Sequence, residues 1–267
     1  MEFKFLPKKL SEIKALKIEI VNKGYIPFMT GRFNLLAGAG GTGKSLIALK
    51  SAIIFLRDNP NRKAFLWFSE DPKVEIEKRV KSICDELISV EPIWALERMV
   101  FVTLETDDRV PLVQKNSGGI EKNSDYIAGI IEYILLNDIG FVVLDPLKRF
   151  HLLDENSNSE MPMLTKGVFE YISAKTNALI LVLHHSSKSV HGVRGAGSIA
   201  DDAGMAWIIA KVMVKDNITE QTTVKEGFEN RVSITFQKDN YGITKGMNIM
   251  DNHGTIPLPG STVTNYE

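Results

Sequence analysis

The sequence predicts an α/β fold: a mostly parallel, doubly wound sheet with helices on both faces and an antiparallel extension near the C-terminus. Three observations predict it. Short, almost wholly apolar runs recur at Phe33–Ala37, Ala64–Phe68, Met99–Leu104, Phe141–Leu144 and Leu179–Leu183, as expected for strands covered on both faces. Stretches with helical apolar spacing separate several of them, which is the pattern of strand–helix–strand crossovers. Between the first strand and the first helix lies Gly38-Ala39-Gly40-Gly41-Thr42-Gly43-Lys44-Ser45, a glycine-rich turn at a place where such sheets bind anions.

The elements follow in order. Residues 9–22 alternate charge with Leu10, Ile13, Leu16 and Ile18, so a short amphipathic helix or loose arm is expected, and the segment 24–28 with Pro27 reads as a loop. The helix after the glycine-rich turn runs to about Leu56 and is stopped by Asp58-Asn59-Pro60-Asn61. Ser69-Glu70-Asp71-Pro72 closes the second strand, and a long amphipathic helix follows to about Ser89. The polar region 105–122 reads as loop. Asp125–Leu136 carries Ile127, Ile130, Ile131 and Ile134 on one side of a helix. Asp145-Pro146 closes the fourth strand, a polar connection spans Asp154–Ser159, and a helix is expected near Leu164–Ala174. His184-His185 closes the fifth strand, and residues 186–198 form a polar loop. Met205–Val214, Val232–Gln237 and Gly246–Met250 then read as three strands of the antiparallel extension, with a loosely ordered tail beyond.

Composition limits the function classes. The chain has 267 residues, 44% hydrophobic and 24% charged, enough for one large α/β domain with a packed core. A net charge of −1 excludes a uniformly basic nucleic-acid coat but leaves room for a local basic loop. The single cysteine, Cys84, cannot form an internal disulfide and reads as a small apolar helix residue. No apolar h-region follows the N-terminal lysines, and no apolar run is long enough to span a bilayer, so a cytoplasmic protein without a membrane segment is expected.

The G-x-x-x-x-G-K-S spacing gives the glycine-rich turn a specific chemistry. Glycines at 38, 40, 41 and 43 let backbone N–H groups converge on an anion, together with the Thr42 and Ala39 amides, and the following helix adds its positive dipole end. Lys44 is placed to reach the β- and γ-phosphates and Ser45 to set its hydroxyl on Mg²⁺. A nucleoside triphosphate, expected to be ATP, and Mg²⁺ follow. The other strand ends should meet this loop. Asp145 is the candidate second Mg²⁺ holder, or else a turn cap before Pro146. Glu70 is the candidate base for the attacking water. Asp71 competes for that role, although an N-cap position before Pro72 would account for it. Of His184 and His185, which must face opposite ways, His185 lies nearer the loop and is the candidate γ-phosphate contact, against a buried structural histidine. Arg194 and Lys188 are either site cations or solvated loop charges. Lys238, in Lys238-Asp239-Asn240-Tyr241-Gly242, is either a further cation or part of an ordinary turn.

Taken together these motifs resemble the RepA-type hexameric replicative helicases of plasmids, a branch of the RecA-like P-loop ATPases. The stretches that carry the resemblance are the glycine-rich turn, Ser69-Glu70-Asp71-Pro72, Leu144-Asp145-Pro146-Leu147-Lys148-Arg149-Phe150-His151, Leu183-His184-His185-Ser186-Ser187-Lys188, Arg194-Gly195-Ala196-Gly197-Ser198 and the Lys238 segment. They span about residues 30–245. The resemblance implies a RecA-like ATPase domain over 31–250, flanked by an arm at 1–30 and a tail at 251–267. It implies a six-membered ring with nucleotide between neighbours. Glu70 would be the catalytic carboxylate, Asp145 the Mg²⁺ aspartate and His185 the γ-phosphate sensor. Arg194 and Lys238 would be cations supplied to a neighbouring subunit. Loops near 151–161 and 186–193 would hold single-stranded DNA.

Two functions of different kind remain open on the sequence. One is an ATP-driven DNA helicase or translocase. The other is an ATP-switched ring or filament that binds DNA or a partner without unwinding, as recombinase-like and signalling relatives of the RecA fold make reasonable. A small-molecule kinase fits the phosphate loop but lacks an evident acceptor lid.

Overall fold

In the computed structural model, residues 18–22, 25–87, 91–185, 197–211, 213–215, 222–224, 231–239 and 248–252 are described. Most of the expected N-terminal arm, the 186–196 loop with Lys188 and Arg194, and the tail beyond residue 252 lie outside them.

Among the described residues the order begins with β1 (Ile20–Val21), β2 (Phe28–Met29) and β3 (Phe33–Gly38), followed by α1 (Lys44–Asp58), β4 (Lys63–Phe68), α2 (Lys73–Glu86), α3 (Pro92–Glu97) and β5 (Met99–Val102). Next come the hairpin strands β6 (Val113–Asn116) and β7 (Gly119–Lys122), then α4 (Ser124–Leu136), β8 (Ile139–Asp145), a 3₁₀ turn over Leu147–Phe150, and β9 (His151–Leu152). A helical segment starts as α5 (Met161–Leu164), widens to π geometry over Thr165–Glu170 and ends as α6 (Tyr171–Thr176). β10 (Leu179–His185), α7 (Gly197–Asp202), β11 (Met205–Lys211), β12 (Met213–Lys215), β13 (Thr222–Val224), β14 (Arg231–Asp239) and β15 (Asn248–Asn252) complete the order.

Eight strands form the central sheet in the order β15-β14-β11-β3-β10-β8-β4-β5. Among the described strands the six from β11 to β5 run parallel, and the β11–β14 and β14–β15 pairs are antiparallel. The antiparallel extension therefore begins one strand later than the sequence suggested. β11 enters from α7 on a crossover path and lies parallel to β3, with Met205 opposite Asn34 and Ile209 opposite Gly38. A crossover returns the chain in the same direction, whereas a hairpin would reverse it.

Period-two alternation divides the core into two layers. Leu36, Ala64, Leu66, Phe68, Phe141, Val143, Leu179, Leu181 and Leu183 pack with Ile47, Ile53, Val80 and Ile83 of α1 and α2. Their neighbours Leu35, Ala37, Phe65, Trp67, Val142, Leu144, Ile180 and Val182 pack with Ile127 and Ile134 of α4 and with Leu164, Val168 and Ile172 of the 161–176 segment. The sheet is thus doubly wound and RecA-like. Cys84 lies in the first layer, and burial pushes its thiol up to about 11. Tyr25, Ile26, Phe28 and Met29 also belong to that layer, and β2 pairs antiparallel with β1.

The 105–122 region contains structure that the sequence concealed. β6 and β7 form a two-residue hairpin with Asn116 opposite Gly119, whose φ is +120°, and the Asn116 side chain accepts from the Gly118 N–H at 2.9 Å. β6 also pairs parallel with β9. Most of its residues are exposed, so no apolar alternation marks the hairpin. Among the described residues, no helix is long and apolar enough to cross a membrane.

Candidate functional site

The parallel strands end together, and their last side chains surround the glycine-rich turn. Gly41 and Gly43 have φ of +72° and +82°, a left-handed geometry that other residues adopt only with strain. Gly38 is constrained by space, since a Cβ there would stand 2.5 Å from the Ile209 carbonyl oxygen on β11. The Thr42 hydroxyl donates to the Ala39 carbonyl at 2.8 Å, and α1 starts at Lys44 with no side-chain cap. Its first N–H groups are therefore free for an anion. Lys44 Nζ turns back into the loop and donates to the Gly38 and Ala39 carbonyls, each at 2.9 Å. Burial lowers the Lys44 pKa, and the negative charges of Asp145 and Glu70 oppose that shift.

Asp145 closes β8 on the α1 side of the sheet, following the alternation of Phe141 and Val143. The Ser45 hydroxyl donates to its Oδ2 at 2.5 Å. Burial raises the Asp145 carboxyl to about 6, against the bond from Ser45. One carboxylate and one hydroxyl beside a phosphate loop are a suitable donor set for Mg²⁺ that takes its remaining ligands from phosphates and water. Among the described residues, no three His, Cys, Asp or Glu side chains are grouped so as to hold a metal by themselves. The site therefore fits a metal carried by a nucleotide better than an all-protein cage.

β4 ends level with β8, Phe68 standing opposite Asp145, and Glu70 projects just beyond. Its Oε1 lies 3.5 Å from Arg149 Nε, with both side chains about half exposed. Glu70 is near enough to act electrostatically on Lys44, Asp145 and His185. Asp71 does not cap α2. Pro72 occupies the N-cap position, and Asp71 Oδ2 instead accepts from Arg79 at 2.7 Å. The partner differs from the one expected, but Asp71 is again engaged.

The two histidines separate as strand geometry requires. His185 Nδ1 is 3.4 Å from Lys44 Nζ. Burial lowers its pKa, and the Lys44 ammonium lowers it further. His184 is buried on the opposite face, where burial lowers its pKa and the Glu155 carboxylate opposes that. Lys44, Ser45, Glu70, Asp145 and His185 thus meet at one rim. Lys238 does not join them within its own chain. It pairs with Ala206 near the start of β11, and its Nζ donates to the Asp201 carbonyl of α7. Its expected role concerns a neighbour's nucleotide, which a single chain does not display. Arg194 and Lys188 lie outside the described residues.

Sequence reasoning gave Arg149, His151 and Glu155 no individual role at the phosphate site, although the resemblance places His151 and Glu155 in the loop near 151–161. All three follow Asp145 on the 147–155 segment, which is braced by packing. Trp67 meets the Phe150 ring edge-on at 5.2 Å and donates to Asp107 at 3.1 Å, and Arg109 Nε donates to the Arg149 carbonyl at 2.8 Å. The only signal available beforehand was the crowding of polar side chains directly after a buried strand.

A model of the AAA domain family matches residues 2–190, which contain the phosphate loop, Glu70, Asp145 and His185. This covers more than half of the chain, and it agrees with the parallel sheet and the loop geometry. The chain belongs to the AAA domain family, as an ATPase of the P-loop type.

Proposed function

We propose that this ATPase is a DNA helicase or translocase acting in replication as a hexameric ring, with ATP hydrolysed between neighbouring subunits. The observation that carries this reading is the convergence of Glu70, Asp145 and His185 on Lys44, together with the direct run of chain from Asp145 into the 151–161 loop. In this reading Lys44 exchanges its two loop carbonyls for β- and γ-phosphate oxygens. Glu70 accepts the proton of the attacking water as its oxygen bonds to the γ-phosphorus and the bond to the bridging oxygen breaks, which releases ADP and phosphate. Ser45 and Asp145 would hold Mg²⁺, which would supply charge neutralisation at the phosphate oxygens. His185 contacts the γ-phosphate, and Arg194 and Lys238 reach the nucleotide of the next subunit. We assign the ATPase domain to 31–250, with an arm at 1–30 and a tail at 251–267, in a cytoplasmic protein.

Single-stranded DNA is assigned to loops near 151–161 and 186–193. The first is less acidic at its surface than its sequence suggests. Glu160 is bound by Lys115 at 2.6 Å, and Glu155 turns inward toward His151. Asp154 remains exposed, and this favours a second reading, an ATP-switched DNA- or partner-binding ring without unwinding.

The test measures ATPase rate with and without single-stranded DNA, then unwinding of a forked duplex, then mass with a non-hydrolysable ATP analogue. Stimulation, unwinding and a six-subunit mass support the motor. Stimulation without unwinding supports the switch, and no response to DNA would defeat the motor and the DNA-binding form of the switch. Arg194→Ala should reduce turnover only at concentrations where the chain assembles.

A further inference from the structure

His184 shares its face of β10 with Ile180 and Val182, and the 147–150 turn packs against that strand. Immediately after the turn, His151 is buried at 5% exposure. Its Nδ1 accepts from the Leu153 N–H at 3.1 Å. In the neutral ring the proton must then sit on Nε2. That Nε2 lies 3.7 Å from Glu155 Oε1. His151 Nε2, Glu155 Oε1 and His184 Nε2 are all buried, and none has a hydrogen-bond partner among the described residues. The Glu155 carboxylate interacts electrostatically with both rings. The three do not form a metal site by geometry. They are buried polar atoms without a bond among the described residues, and the charge of Glu155 acts on both rings. The His151–Glu155 pair needs a movement of only about 0.5 Å to reach an ordinary bond, and buried polar groups left unbonded are costly.

We propose that Glu155 is a positioning residue of the ATPase site: by bridging His151 and His184 it fixes the end of β10, and so the placing of His185 toward the terminal phosphate. This rests on the reading of His185 as the γ-phosphate contact. His184 and His185 are consecutive on one strand, so a displacement of the first ring moves the backbone that carries the second. Small misplacements of a reacting group are expensive in turnover. Glu155 touches neither nucleotide nor water in this scheme and acts only through the strand.

The test is steady-state ATPase of the full chain in a double-mutant cycle. Glu155→Ala should lower kcat about tenfold and leave KM for ATP within about twofold. Glu155→Gln keeps an acceptor oxygen and the same size, and should retain about half of the kcat or more. On a His185→Ala background, Glu155→Ala should lower kcat no further, because its route of action is already gone. Wild-type kcat in Glu155→Ala, or an equal further loss on the His185→Ala background, would overturn the proposal while leaving the role of His185 intact. Wild-type kcat in His185→Ala would overturn the γ-phosphate assignment and this proposal with it. If Glu155→Ala lacks a cooperative thermal transition, His184→Gln takes its place in the cycle and is judged by the same outcomes.

Discussion

Ser45 Oγ and Asp145 Oδ2 are 2.5 Å apart, joined by a hydrogen bond between the first turn of α1 and the last residue of β8. A hundred residues separate them in the chain. The bond holds together the two groups assigned to Mg²⁺. Ser45→Ala removes the hydroxyl assigned to Mg²⁺ and leaves the buried carboxylate without its donor. Mg²⁺-dependent ATP turnover should fall about 100-fold or more, and the thermal upshift on adding Mg²⁺ and ATP should shrink. An unchanged upshift measured by scanning fluorimetry would count against the assignment.

Lys44 carries the cation of the phosphate loop at 5% exposure, held by two carbonyls of the loop itself. Lys44→Ala should abolish detectable turnover, a loss of about 100-fold or more, with binding of a fluorescent ATP analogue weakened in parallel. Turnover near wild type would remove the phosphate loop from the chemistry.

Glu70 and Arg149 form a half-exposed pair at 3.5 Å, and such pairs contribute about 0–1 kcal/mol to stability. Glu70→Gln should therefore leave the urea midpoint almost unchanged. It should retain ATP binding and slow hydrolysis by about 10²–10⁴-fold. Single-turnover kinetics separates binding from chemistry. A wild-type rate would move the base elsewhere, to Asp71 first.

Gly38 sits where a Cβ would come within 2.5 Å of a backbone oxygen of β11. That oxygen cannot rotate away, so Gly38→Ala must push β3 and β11 apart. A loss of about 1–3 kcal/mol is expected from the forced shift, read as a lower urea midpoint together with weakened nucleotide binding. Gly40 offers a control, because nothing lies within 4 Å of a Cβ built there, and Gly40→Ala should be nearly neutral for stability.

Cys84 has its thiol raised to about 11 by burial among the residues of α2. At pH 8 the thiolate is then about one part in a thousand, so alkylation of the folded chain should be at least about 100-fold slower than in denaturant. The sign of the pH dependence follows from the folded value lying above the unfolded one. The folded chain keeps a proton that the unfolded chain releases between about 9 and 11. This contribution to stability is present at lower pH and is lost as pH rises through that window. Cys84→Ala should flatten that part of the profile.

The phosphate loop, the strand ends and most of the helices could be read from the sequence because each is written locally. The buried runs Ala64–Phe68 and Phe141–Leu144 need no distant information to be identified as strands covered on both faces. The alternation inside Leu179–His185 likewise separates His185 from His184 without coordinates. The hairpin at 113–122 could not be read, because Gln114, Lys115, Asn116 and Glu121 give a polar stretch whose pairing depends on β9 arriving beside it. The direction of β11 was hidden for a related reason. An apolar run has the same pattern whether it is laid parallel or antiparallel, and only the crossover through α7 decides.

The sequence by itself determined the chemistry that is possible at this rim: an anion loop with a lysine and a hydroxyl, a carboxylate after each of two buried strands, and an imidazole after a third. Tertiary structure alone decided which of these groups meet. It set Ser45 against Asp145 and His185 against Lys44, paired Glu70 with Arg149, and turned Glu155 toward His151. The physical reason is that a side chain's type and facing are local properties of the chain, whereas its neighbours are fixed by the order in which parallel strands pack, and that order is a property of the whole sheet.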